Sequence, residues 1–148
     1  MATYDYAPAV GRTRLRQAAA DFATSGFDLR FTDALGNSLE HQRERYDASS
    51  GELLVWVKLT AFDSAVDTVV FLYYGGPADS VDPSVATVWS NGYEAVWHLE
   101  EQGDGSAGEF LDSSGHGHHA SAGGSTPPEV PPPVAAQIGN GQDLDGTN

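Results

Sequence analysis

The chain has 148 residues, and 21 acidic against 7 basic side chains leave a formal net charge of −14. Such a surface repels phosphate backbones and anionic lipid headgroups, which excludes nucleic acid and acidic membranes as expected partners and leaves divalent cations and neutral sugars. The complete lack of cysteine excludes disulfide staples, thiol catalysis and cysteine-ligated zinc; an extracellular location stays open, because such a fold does not rely on oxidation.

Hydrophobic residues make up 40% of the chain, with 17 glycines and 8 prolines, a balance that suits a loop-rich β protein better than a helical bundle. No run reaches the ~18 apolar residues of a membrane span. Residues 1–25 do not read as a secretion signal: the apolar core is missing, and Arg12, Arg14 and Arg16 follow the weakly apolar start. Within them, residues 15–22 are read as a short helix. Residues 27–31 alternate apolar and polar positions and predict a half-buried strand. Asp33 to Asn37 is a turn, since Gly36 tolerates positive φ and Asp33 can bond its own backbone. Residues 39–46 alternate again, with Leu39, His41 or Gln42, and Tyr46 as inward positions, and a second turn covers 47–51. The apolar runs 53–59 and 69–74 predict strands central in a sheet, the second stopped by Gly75, Gly76 and Pro77.

Residues 77–92 form a Pro-, Ser- and Asp-rich connector, and the domain boundary is placed near Asn91, dividing the chain into 1–90 and 91–148. Beyond it, residues 95–99 predict a strand and 101–109 a Gly-rich loop. Residues 120–136, with five prolines between Pro127 and Pro133, are expected to be extended and mobile. Strands every 8–12 residues with turns between them argue for an all-β protein, an antiparallel sandwich of the jelly-roll type.

Two resemblances sharpen this. Asp28-Leu29-Arg30-Phe31-Thr32-Asp33, then Gly36, Glu40 and His41, then Tyr46-Asp47, Val55-Trp56-Val57 and Leu72-Tyr73-Tyr74-Gly75 together resemble a bacterial β-sandwich family, domain of unknown function 2341. Tyr93 to Leu99, the Asp112-Ser113-Ser114-Gly115 turn and the late Leu144-Asp145-Gly146 element resemble the opening of a concanavalin-type, laminin-G-like module. The family's usual first strand, of the type Phe-Pro-Val-Leu-Val, has no visible counterpart in Met1–Val10, and the second module is represented by its first elements alone. The resemblance implies a cell-envelope or secreted location and a non-catalytic binding or spacer role.

Candidate sites follow from residue chemistry. Trp89 and Tyr93, beside the connector, are the ligand-binding candidates, because an exposed aromatic face packs on a pyranose ring. Trp56 and Trp97, mid-strand among apolar neighbours, are expected in the core. Asp104, Glu109, Asp112, Asp143 and Asp145 are hard oxygen ligands in Gly-rich loops, and the four aspartates are the metal candidates; calcium, the expected cofactor if there is one, takes roughly six to eight oxygens. His116, His118 and His119 could grip zinc or nickel, although polar residues in a turn need no metal. Glu40, His41, Glu44 and Asp47 offer acids on one strand, with Arg43 and Arg45 beside them as a cross-strand charge ladder. A glycosidase would need two carboxylates opposed across a cleft, so no catalytic residue is assigned.

The expected function is a non-catalytic extracellular module that binds a glycan or surface protein. A second reading is an assembly module that completes its sheet with another chain, including a second copy of itself. A third is an accessory region of a glycoside hydrolase.

Overall fold

The computed structural model describes residues 2–5, 25–77, 82, 83, 85–123, 130–136 and 138–144, the first group by backbone alone. The chain divides into two compact units, Met1–Val88 and Trp89–Asn148. The described residues are all-β, with no α-helix and a single 3-10 turn at Ala86–Trp89. No helix among them is long and apolar enough to cross a membrane. The helix expected at 15–22 lies outside the described residues.

Unit 1 holds six strands: β1 (Ala2–Asp5), β2 (Arg30–Thr32), β3 (Ser38–Leu39), β4 (His41–Asp47), β5 (Glu52–Val57) and β6 (Val69–Tyr73). Strands β1, β6, β2 and β3 form an antiparallel sheet in that order, and β4 pairs with β5 in a second. Leu29, Phe31, Leu39 and Leu72 are the buried cluster, and Tyr46, Leu53, Val55 and Val57 pack against it. The two sheets therefore contribute to one apolar core, whose burial is the main favourable term for a chain this polar. The alternation of β5 explains its share: Leu53, Val55 and Val57 face inward, so Leu54 and Trp56 face away.

Three expectations for unit 1 need correction. The strand predicted from residue 27 begins at Arg30, after a turn. The continuous strand predicted over 39–46 is interrupted at Glu40, where the chain leaves one sheet for the other. Within β4 a bulge falls between Arg43, opposite Val55, and Arg45, opposite Leu54. Strict alternation would put His41 and Tyr46 on opposite faces; the extra residue at Glu44 brings both toward the core. Third, β5 is not central but lies in a two-stranded sheet, whereas β6 sits between β1 and β2 as expected. Within Met1–Val10, where no apolar run marks a strand, Ala2–Asp5 pairs with Val69 to Leu72. A ladder of backbone bonds forms without an apolar run, which is why composition did not show it.

The turns are built by short carboxylates. Asp33 accepts the Leu35 and Asn37 amides at 2.9 Å each, and Gly36 takes a φ of 84°. Asp47 accepts the Ser49 amide at 2.8 Å and the Ser49 and Ser50 hydroxyls at 2.6 and 2.7 Å. Val85 and Thr87 are tied to the start of β4 and to the flanking residues Glu40 and Lys58. The Val85 amide donates to the His41 carbonyl at 3.0 Å, the Thr87 hydroxyl to Glu40 at 2.8 Å, and Lys58 Nζ to both Glu40 (3.1 Å) and the Thr87 carbonyl (3.0 Å). Of the predicted charge ladder, Arg45 pairs with Glu52 at 3.9 Å, whereas Arg43 turns to Asp82.

These groups predict a two-step acid response. Burial, with Arg30 and Arg43 nearby, lowers the His41 pKa below its ordinary 6.5. The unfolded chain therefore binds that proton first, and stability falls as pH drops from 6.5 toward the lowered value. The Ser49 and Ser50 hydrogen bonds lower Asp47 from 3.8 to about 2, so its contribution is lost over that lower window. Thermal unfolding followed by circular dichroism from pH 8 to 2 should show both declines, and His41→Gln should remove the upper one. An unchanged upper decline would contradict this assignment.

Unit 2 is less regular. The strand predicted over 95–99 reduces to one bridge, Trp97 opposite Asp112, with a second between Phe110 and Ala120. In the stretch expected to be mobile, β7 (Pro133–Ala135) pairs with β8 (Asn140–Gln142) in an antiparallel hairpin. Pro133 is tolerated there because it is the first residue of the strand. Gln142 Nε2 donates to the Leu99 and Glu101 carbonyls at 3.0 Å each, and the Asn140 amide donates to Glu100 at 3.0 Å. Leu99 is held at a φ of 59°, a left-handed conformation uncommon outside glycine.

Candidate functional site

The densest polar arrangement in unit 2 is the turn that follows Leu111. Asp112 is buried, and each of its carboxylate oxygens has work in the backbone. Oδ1 accepts the Val96 amide at 2.9 Å and the Ser114 amide at 2.8 Å; Oδ2 accepts the Ser114 hydroxyl at 2.8 Å and the His118 amide at 3.0 Å. Burial alone would raise its pKa, but the bonds from Val96, Ser114 and His118 outweigh it and hold the carboxyl well below the usual range. Aspartate suits the position because its short side chain reaches two amides of its own turn, Ser114 and His118, and that of Val96 on the facing segment. Gly115 and Gly117 supply positive φ values of 90° and 77°.

The three histidines of the turn differ in use. His119 Nδ1 accepts the Asp112 amide at 2.9 Å. His118 Nδ1 lies 2.9 Å from the Glu94 carbonyl, and His116 Nδ1 lies 3.0 Å from the Ser114 hydroxyl. The His116 and His118 rings stack with centroids 5.9 Å apart and planes 21° from parallel.

Asp104 and Asp143 are the other predicted metal ligands among the described residues. Asp104 Oδ1 accepts the Ser106 amide at 2.9 Å, and Asp143 is exposed. Asp145 lies outside the described residues. Among the described residues no three His, Asp or Glu side chains converge as a metal-holding group. Glu109, one of the loop carboxylates, accepts the Asp104 and Gly105 amides at 2.6 Å each and the Ala122 amide at 2.8 Å. The Ala122 bond leads the causes that lower its pKa.

Among the aromatics the expected exposure holds for Tyr93, at 47%, and fails for Trp89, at 7%. Trp89 packs edge-on against Tyr93, with centroids 5.4 Å apart, and lies 5.8 Å from the His98 ring. Trp97, expected in the core, is 45% exposed, and its indole N–H donates to the His118 carbonyl at 2.8 Å. A single bridge leaves Trp97 without the flanking strand that would cover a core position. Trp56 is half-buried and donates its indole N–H to Glu44. Glu44 is thereby tied to its cross-strand neighbour rather than facing another acid.

In unit 1, the residues that carry the resemblance meet in space. Asp28, 4% exposed, accepts the Gly75 amide at 2.8 Å, joining the segment before β2 to the turn after β6. Gly75 takes a φ of 76° there. Phe31 and Leu72 stand opposite each other in the register between those strands. Gly26, at a φ of 66°, lies so close to Tyr46 that an added Cβ would meet its Cδ1 at 2.8 Å.

No curated protein matches the chain, and no solved structure does. One family model matches residues 25–101, more than half of the sequence and the span that contains the Asp28–Gly75 link. The chain belongs to that family, domain of unknown function DUF2341.

Proposed function

We propose that this chain is a non-catalytic binding or spacer module of an extracellular or cell-envelope protein, with glycans as its ligand class. Its first unit is read as a jelly-roll sandwich and its second as the opening part of a concanavalin-like module. The observation that carries the binding role is the pair of exposed aromatics in unit 2, Tyr93 at 47% and Trp97 at 45%. The hydrogen bond from the Trp97 indole to the His118 carbonyl limits ring motion, so less side-chain freedom is lost when a sugar stacks on it. The polar groups of the Asp112 turn support the same reading, being spent on backbone order rather than aimed at a reacting atom.

A glycan array followed by calorimetry on the best ligand tests this. Trp97→Ala should weaken binding about tenfold, equivalent to roughly 1.4 kcal/mol for one aromatic contact. Unchanged affinity in Trp97→Ala and Tyr93→Ala would remove the glycan role and leave the spacer.

A second reading, assembly through a sheet edge, rests on the two-stranded β4–β5 sheet and on the nearby loop, where Phe62 is 60% and Val66 64% exposed. An exposed edge is a template for another chain. Light scattering distinguishes it, since a stable dimer abolished by Leu54→Lys would favour assembly.

A further inference from the structure

We propose that Asn91 is a site of spontaneous deamidation, a covalent modification that lengthens the chain between the Trp89 and Tyr93 rings. The proposal is independent of the glycan reading. The backbone nitrogen of the residue after an asparagine attacks the side-chain Cγ. The new C–N bond closes a succinimide ring, the attacking nitrogen gives its proton to water, and ammonia leaves. Water then opens the ring at either carbonyl. One opening gives aspartate; the other gives isoaspartate, whose main chain runs through the β carbon. No bond is oxidised or reduced, and water is the only co-reactant. A Cβ on the attacking residue hinders the approach, so a glycine after asparagine favours closure.

The chain holds two such pairs, Asn91-Gly92 and Asn140-Gly141, and the fold sets them apart. Asn91 and Gly92 are exposed in a turn just after Ala86–Trp89. Gly92 has a φ of 95°, and a Cβ built on it would meet nothing within 4 Å. Asn140 and Gly141 lie in β8, opposite Ala135 and Val134 of β7. The Asn140 amide donates to Glu100 at 3.0 Å, and a Cβ on Gly141 would meet Ala136 Cβ at 3.4 Å. Closure rotates the asparagine ψ away from its extended strand value, so the β7–β8 hairpin must open first. Asp104-Gly105 could close the same ring with loss of water, but the Gly105 amide donates to Glu109 at 2.6 Å and Asp104 Oδ1 accepts the Ser106 amide at 2.9 Å. Asn91 lies between Trp89, which is buried, and Tyr93, which is exposed; their rings pack edge-on with centroids 5.4 Å apart. Isoaspartate adds a main-chain atom to that short span and draws Tyr93 out of register with Trp89. The aspartate product changes charge alone.

Ageing the full chain at mildly alkaline pH in heavy-oxygen water, followed by peptide mass spectrometry, tests the site. Residue 91 should appear as aspartate and isoaspartate, both carrying solvent oxygen. Asn91 should convert about tenfold or more faster than Asn140, the factor that about 1.4 kcal/mol of hairpin opening supplies. In urea the two rates should converge. Conversion of Asn140 as fast as Asn91 in the folded chain, a rate difference that survives urea, or isoaspartate arising chiefly at Asp104 would overturn the assignment. Proton cross-relaxation between the Trp89 and Tyr93 rings reads the consequence. It should be present in the fresh chain and in Asn91→Asp, and lost in the isoaspartate form; its retention there would overturn the effect on the ring pair.

Discussion

Truncating Leu29 to alanine should destabilise unit 1 by about 2–5 kcal/mol, the range for deleting a leucine side chain from a packed core. Among the described residues Leu29 is the most deeply buried large side chain, at 1% exposure, and it sits with Phe31, Leu39 and Leu72 where the two sheets share their core. The loss combines the transfer free energy of the removed carbons with the cavity left behind. Against a typical total of about 5–15 kcal/mol, it takes a large fraction of the stability. Hydrogen exchange at β2 and β6 amides against urea reads this unit by itself. A shift smaller than about 1 kcal/mol would mean that the core collapses around the gap.

Replacing Gly103 with alanine should destabilise unit 2 by about 1–3 kcal/mol, the usual cost of overpacking. An added Cβ would lie 2.3 Å from Val130 Cγ1 and 3.2 Å from both Phe110 Cζ and Glu109 Oε2. Val130 and Phe110 are buried at 6% and 5% exposure, so neither can swing into solvent at no cost. The Phe110–Ala120 amides, bonded to each other's carbonyls at 3.0 and 2.9 Å, report the change by hydrogen exchange. Val130→Ala in the same chain should recover part of the loss; absence of any recovery would place the strain elsewhere.

The apolar runs around Val55 and Phe71 were legible because buried strands need consecutive β-branched and aromatic residues, and these yielded β5 and β6. The turns at Asp33 and Asp47 were legible because their mechanism is local. The switch of sheet at Glu40 and the bulge at Glu44 were not, since both depend on which strands become neighbours. The same holds for β1, whose pairing partner lies far along the chain, and for Pro133, whose place at the start of a strand depends on the hairpin it opens. In the candidate site, the turn at Asp112 was recognisable by composition, but the partners of its histidines, as distant in sequence as Glu94, were not. The exposures of Trp89 and Trp97 were expected in reverse, because a window of apolar neighbours does not say whether another strand arrives to cover a ring.

The pairing of Ala2–Asp5 with Val69 to Leu72 bears on the order of assembly. β4 and β5 are joined by one tight turn and can close rapidly, whereas β1 must search across the whole intervening chain before its ladder forms. The entropy of closing that loop is spent before any contact returns it. The topology therefore places β1 last onto the sheet and first off it. A residue-resolved refolding experiment should find protection at β5 before protection at the β1 amides.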